Sequence, residues 1–216
     1  MTRIGIIGSG QVGQVLAKGC RKHGYDTRIG SRTPAKLASF SDSSGIPAAT
    51  SAEVAAWADA IVLAVLGRGA EDAVREAGAS NIAGKIVIDT TNPIDDSPPE
   101  DGVIRFFTGP NDSLMERLQA AFPDARFVKA FSSVGNALMV DPQLEGGPPT
   151  MFYCGNDAAA KAEVATLLRR FGWDPADMGT ARAARAIEPL CQLWCIPGFL
   201  SGQWTHAFKL LGSDKG

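Results

Sequence analysis

The run "RIGIIGSGQVG", Arg3 to Gly13, constrains the chain more than any other stretch. Ile4, Ile6 and Ile7 form a short apolar segment that ends in glycine, the pattern of a buried strand. Gly8, Gly10 and Gly13 follow in G-x-G-x-x-G spacing. Val12, Val15, Leu16 and Cys20 then fall on helical spacing, with Gly24 as the stop. Strand, glycine turn and helix in that order are the context a dinucleotide fingerprint requires. The first glycine permits the tight turn, the second lets backbone approach a pyrophosphate, and the third lets helix and strand pack closely. Unpaired amides at the helix start then face the phosphates. A glycine-rich turn without a ligand is the alternative; position, spacing and flanks together weigh against it.

"RIGSRTPAK" closes the second predicted strand. An NAD-preferring site places an acid about 20 residues past the glycine loop, bonded to the ribose 2′-hydroxyl. Here stand Gly30, Ser31 and Arg32, then Thr33, Pro34 and Lys36. Arginine pairs with phosphate through two parallel charge-assisted hydrogen bonds. Ser31 adds a hydroxyl, Lys36 a second cation, and Thr33-Pro34 a helix start that favours an anion. These residues attract the 2′-phosphate that a carboxylate would repel, so the expected cofactor is NADP(H) rather than NAD(H).

The remainder alternates strand with helix. Strands are expected at Tyr25–Gly30, Ala60–Leu66, Lys85–Thr91 and Ala125–Phe131, and at "TMFYCG". Helices are expected after Thr33-Pro34, after a Thr50/Glu53 capping box, after Ser113 with Glu116, and after an Asn156 cap. This pattern predicts an α/β fold: a Rossmann-like, doubly wound, mostly parallel sheet with C-terminal helices. Residues 1–178 read as the NADP-binding domain. Residues 179–216 read as a helical segment for the substrate cleft and dimerisation, broken near Pro189 and Pro197, with "GQWTHAF" helical.

The sequence has 216 residues and a formal net charge of −2. Without a basic surplus or a run of like charges it does not read as a nucleic-acid binder. No apolar run reaches the ~18 residues a membrane span needs, so a soluble, cytoplasmic protein without membrane contact is expected. Cys20, Cys154, Cys191 and Cys195 lack zinc-ligand spacing and read as reduced thiols. No metal site is expected.

Asp95, Asp96, Glu100 and Asp101 read as a solvated loop. Asn92, Ser132 and Ser133 fall at carboxyl ends of strands, where open α/β sheets bind ligands. Local turn bonding is the alternative for the two serines. Direct hydride transfer needs positioning more than a catalytic triad, so no catalytic residue is assigned. His23 reads as a helix-end residue, and His206 as a less favoured cleft acid. Trp194, Phe199, Trp204 and Phe208 read as a dimer core before an acceptor lid.

"IGIIGSGQVGQ", "GSRTPAK", "AIVLAVL", "DTTNPI", "VKAFSSVGNALM" and "ARAIEPL" occur in this order. Together they resemble the F420-dependent NADP oxidoreductase family across most of the chain. The resemblance implies hydride transfer between NADPH and a flat, flavin-like acceptor such as coenzyme F420. It implies that Ser9, Gly10, Gln11, Val12, Ser31, Arg32 and Lys36 bind NADP and that Val65 and Asn92 lie along it. It also implies a homodimer whose C-terminal helices help close the partner's cleft. Family members that use F420 carry a histidine near Ser132, whereas this chain reads "AFSSVGNAL", which leaves other flavins, quinones and metal chelates open as acceptors. An imine or keto-acid reductase, a ferric-chelate reductase and a non-catalytic NADPH sensor are the alternatives.

Overall fold

Alternate residues of the central strands feed two separate cores in the computed structural model, which describes residues 1–212. The strands are β1 (Arg3–Ile7), β2 (Asp26–Gly30), β3 (Ala48–Ala49), β4 (Ala60–Leu63), β5 (Ile86–Asp89), β6 (Arg126–Lys129), β7 (Thr150–Gly155) and β8 (Asp174–Asp177). The helices are α1 (Gln11–Lys22), α2 (Ala38–Ser44), α3 (Ser51–Trp57), α4 (Ala70–Ala77), α5 (Ala79–Ile82), α6 (Leu114–Ala121), α7 (Ala158–Arg170), α8 (Ala184–Ile187) and α9 (Leu190–Ser201).

Ile4, Ile6, Val62, Ile88 and Val128 bury one face of the sheet against α1, α2 and α7. Ile7, Ile61, Leu63, Val87 and Phe127 bury the other against α3, α4, α6 and α8. Each such side chain contributes about 1.5–3 kcal/mol on burial. A strand buried on both faces reads as an apolar run, which is why these strands were legible.

The sheet order is β3-β2-β1-β4-β5-β6-β7-β8. Pairing is parallel from β3 through β6, β7 runs antiparallel to β6, and β8 lies parallel to β7. The order reverses between β1 and β4, and the crevice outside their carboxyl ends is where such sheets bind ligands. The fold is the expected α/β, doubly wound sheet.

Local differences have local causes. Thr33-Pro34 opens a 3-10 turn (Pro34–Leu37) without a threonine side-chain cap, and α2 starts only at Ala38. Asp157, not Asn156, caps α7, while Asn156 Oδ1 accepts from the Ala181 amide. β4 and β6 end at Leu63 and Lys129, short of their apolar runs. β3 and β8 were not expected; β8 contains Pro175, which an edge strand tolerates. Pro197 sits inside α9 without breaking it, whereas Pro189 does separate α8 from α9. "GQWTHAF" is not helical: Gly202, at φ +73°, ends α9 and turns the chain back. Trp204 then lies against Gly198, and the Phe208 carbonyl accepts from the Thr150 amide. The Thr50/Glu53 capping box and the Ser113 cap form as expected. Among the described residues no helix is long and apolar enough to cross a membrane.

Candidate functional site

Three glycines shape the exit of β1, each for a different reason. Gly8 adopts φ +132°, and a Cβ there would lie 2.0 Å from the Ala64 carbonyl oxygen. A Cβ on Gly13 would lie 2.1 Å from the Gly8 oxygen, so α1 can pack on the turn only with glycine there. Gly10 faces open space, with nothing within 4 Å of a Cβ. Gln14 Nε2 donates to the Ser9 carbonyl at 2.9 Å and ties the loop to α1. Gly10 caps α1 without a side chain and the first turn holds no acid, so its amides are available to an anion.

The loop forms one wall of a cleft of about 770 Å³. Gly8, Ser9, Gly10, Gln11, Val12, Arg32, Val65 and Asn92 line it. The structure therefore brings eight of the thirteen expected site residues to one cavity. Gly13 is buried beneath the turn. Ser31 Oγ accepts from the Thr33 amide at 3.1 Å and keeps its proton to donate. Lys36 is exposed on the 3-10 turn, outside the cleft lining. Ser132 and Ser133 are 3% and 4% exposed and do not line the cavity, although they sit just behind it.

Among the described residues, no carboxylate lies within ion-pair distance of Arg32 or Lys36. The other arginine of the stretch is engaged elsewhere: Arg28 stacks 4.3 Å over the Trp57 ring. Arg32 is thus the one cation of that stretch lining the cleft.

The opposite end is built differently. Phe131, a buried non-glycine residue at φ +62°, turns the chain sharply after β6. Such strained backbone clusters at functional sites. The next carbonyl, that of Ser132, accepts from Asn92 Nδ2 at 2.7 Å. Asn92 Oδ1 and Ser132 Oγ are buried without a protein partner, the first on a residue that lines the cavity and the second just behind it. Leu66, Ile94 and Asn136, not singled out in the sequence, also line the cleft. Arg68 does too, and pairs with Asp96. Gly67, Arg68 and Asp95 also line a second, adjacent hollow of about 340 Å³ walled by Phe107, Leu114 and Leu118.

Beneath this end lies a buried ionic cluster that sequence reading missed. Lys129 Nζ is 2.7 Å from Asp89 Oδ2 and 2.9 Å from Glu188 Oε1, and donates to the Thr91 carbonyl at 2.7 Å. Burial opposes the Lys129 ammonium, but the two carboxylates outweigh it and hold its pKa above the ordinary value. The available signal was an acid ending one apolar strand and a base ending the next; Asp89 and Lys129 are register partners.

His206 does not line the cavity; its Nε2 bonds the Trp194 carbonyl while Trp194 Nε1 donates to the His206 carbonyl. His23 ends α1 as expected and pairs with Asp141 at 2.9 Å. The acids of the 95–101 loop are partly engaged: Asp95 accepts from the Ser97 amide, and Glu100 pairs with Arg105. Among the described residues no cluster of three or more His, Cys, Asp or Glu is arranged to hold a metal.

Known proteins share these features. The family model for coenzyme F420-dependent NADP oxidoreductases matches residues 3–93. The crystal structure of a candidate F420-dependent NADP-reductase from Arthrobacter sp. FB24 is 37% identical, with a TM-score of 0.91 over 97% of this chain and 99% of that one. Metalloreductase STEAP3 of Rattus norvegicus is 29% identical over 204 residues, 92% of this chain and 39% of that protein. The chain spans about two fifths of the length of such curated relatives. A reductive aminase from Aspergillus terreus, solved with NADPH4, cyclohexanone and allyl amine, is 20% identical with a TM-score of 0.67 over 94% of this chain and 63% of that one, a likeness of fold alone. Glycine cradle, unpaired Arg32 and whole-chain likeness converge: the chain belongs to the F420-dependent NADP oxidoreductase family and is an NADP-dependent oxidoreductase that binds NADP(H).

Proposed function

We propose that the chain moves a hydride from NADPH to a flat, flavin-like acceptor, with coenzyme F420 as the first choice. The observation that carries this reading is the apolar wall at the end of the cleft away from Arg32. Leu66 is 78% exposed and Ile94 38% exposed, both lining the cavity. Large apolar side chains left open at a cleft mouth suit a ligand that covers them, and a fused ring does so.

In this reading Gly8, Ser9, Gly10, Gln11, Val12 and Gly13 form the pyrophosphate cradle. Arg32 and Ser31 grip the 2′-phosphate, and Lys36 supplies only a longer-range positive field. Val65 and Asn92 flank the nicotinamide. Ser132 and Ser133 shape the acceptor side from behind, through the Asn92–Ser132 bond. No side chain needs to exchange a proton for a hydride to pass between two aligned rings, so the protein contributes position and electrostatics. Residues 1–178 act as the NADP-binding domain and 179–216 as the segment that closes the acceptor cleft and joins a second copy. Exposed Leu193, Phe199, Leu200 and Trp204 support that pairing. A reducing cytoplasm suits the four free thiols.

The STEAP3 likeness favours one second reading, a ferric-chelate reductase. Loss of NADPH absorbance with F420, FMN, a quinone, a ferric chelate and a cyclic imine separates the cases. Turnover fastest with F420 or FMN is expected. Turnover with the imine alone, or none despite tight NADPH binding, would overturn the proposal.

A further inference from the structure

The buried cluster under the cleft has a charge imbalance. Asp89, Lys129 and Glu188 have side-chain exposures of 0%, 0% and 2%. Two carboxylates face one ammonium, so one negative charge is in excess. Glu188 also accepts from the Leu114 and Met115 amides at the start of α6, at 3.0 Å each. A helix start carries roughly half a positive charge, which reduces the excess without cancelling it. The neighbouring thiols add nothing: burial pushes Cys154 up to about 12, and Cys191 is held up by its Cys195 bond and by burial. Beyond them, Arg185 and Glu116 neutralise each other.

The cluster is wired to the cleft. Asp89 Oδ1 accepts from both the amide and the hydroxyl of Thr91, at 2.9 and 2.7 Å. Thr91 and Asn92 line the cavity. Strand order says which part of the cofactor lies there. Arg32 marks the adenosine end beyond β2, and the glycine loop holds the pyrophosphate beyond β1. The remaining half must cross β4 toward β5 and β6, which puts the nicotinamide above Asp89 and Lys129.

NADP+ and NADPH differ at that end by one positive charge. We propose that the Asp89–Lys129–Glu188 cluster biases the bound nicotinamide toward its oxidised, cationic form and so makes bound NADPH a stronger hydride donor. The C4–H bond of the dihydronicotinamide breaks and both its electrons leave with the proton as hydride. The acceptor ring gains them, and the ring left behind is a pyridinium. The excess negative charge stabilises that cation as it develops. Asp89, Lys129 and Glu188 touch neither ring and are positioning residues. A buried ionic cluster is a poor device for stability alone, since well-packed apolar groups serve as well.

The proposal rests on NADP(H) occupying the cleft, not on the acceptor, and its test uses no acceptor. Dissociation constants for NADP+, NADPH and 2′,5′-ADP are measured on the wild type, Glu188→Gln and Asp89→Asn. The last ligand lacks the nicotinamide and reports an intact adenosine end. One unit charge acting over a distance on the order of 10 Å, at an effective dielectric near 20, is worth about tenfold. Either variant is therefore expected to raise the ratio Kd(NADP+)/Kd(NADPH) about tenfold, with 2′,5′-ADP unchanged. Tenfold corresponds to about 30 mV for a two-electron couple. The double variant Asp89→Asn with Lys129→Met keeps one net negative charge on Glu188, and its ratio is expected to stay near the wild-type value. A ratio within twofold of wild type in the single variants that still bind 2′,5′-ADP would overturn the proposal. So would an equal shift in the charge-conserving double variant, which would point to packing instead of charge.

Discussion

The two ends of the cleft solve different problems with different materials. At the end proposed for the adenosine, Ser31 and Arg32 lie within one short stretch, and Arg32 is exposed with no ion-pair partner among the described residues. At the end proposed for the nicotinamide, Asp89, Lys129 and Glu188 are remote in sequence, buried and ion-paired. The first end is proposed to select a cofactor by presenting charge to solvent, where a single cation works without tertiary support. The second, in the proposal above, acts on a ring whose charge changes during reaction, and its groups lie out of water, where each charge counts for more.

The largest effects should come from the glycine turn that joins both ends. Gly8→Val forces a Cβ into the Ala64 carbonyl at a positive φ. It is expected to lower the melting temperature and abolish NADPH binding. A Cβ on Gly10 has nothing within 4 Å, so Gly10→Val is expected to keep the wild-type melting temperature and still lose NADPH binding. Calorimetric melting and a fluorescence titration separate the two outcomes. Loss of fold in both would mean that Gly10 is structural.

Next in size, Lys129→Met leaves two buried carboxylates without their counter-ion. It should cost about 3–5 kcal/mol in urea unfolding. The sign with pH follows. An unpaired buried carboxyl has a raised folded-state pKa, so it favours the fold while protonated and destabilises as pH rises through that pKa. The deficit should therefore be smaller at low pH and larger at high pH. A pH-independent deficit would blunt the contrast between the two ends.

How much of this could be read from the chain differs along the same line. The glycine loop, the Arg32 stretch and the Thr50/Glu53 box announce themselves within a few residues, because turn, cap and phosphate chemistry are local. The apolar runs of β1, β4 and β5 gave the strand–helix alternation because both faces of the sheet are covered. Other elements depended on partners distant in the chain. Two-residue β3 and proline-containing β8 exist only as neighbours of β2 and β7. Asn156 lost its cap to Asp157 because the Ala181 amide took its oxygen. Pro197 was read as a break, yet α9 runs through it. Lys129 was passed over inside "VKAF" because nothing in its own strand shows that Asp89 and Glu188 converge on it.

The central claim is that Arg32, alone among the cations of its stretch in lining the cleft, makes the site one for NADP(H). Titration of NADPH and NADH into the wild type and Arg32→Asp tests it most directly. Two charge-assisted hydrogen bonds at about 1.5–3 kcal/mol each predict a wild-type preference for NADPH on the order of a hundredfold or more. In Arg32→Asp that preference is expected to vanish or reverse. Equal affinity of the wild type for the two cofactors, or an unchanged preference in Arg32→Asp, would contradict the account.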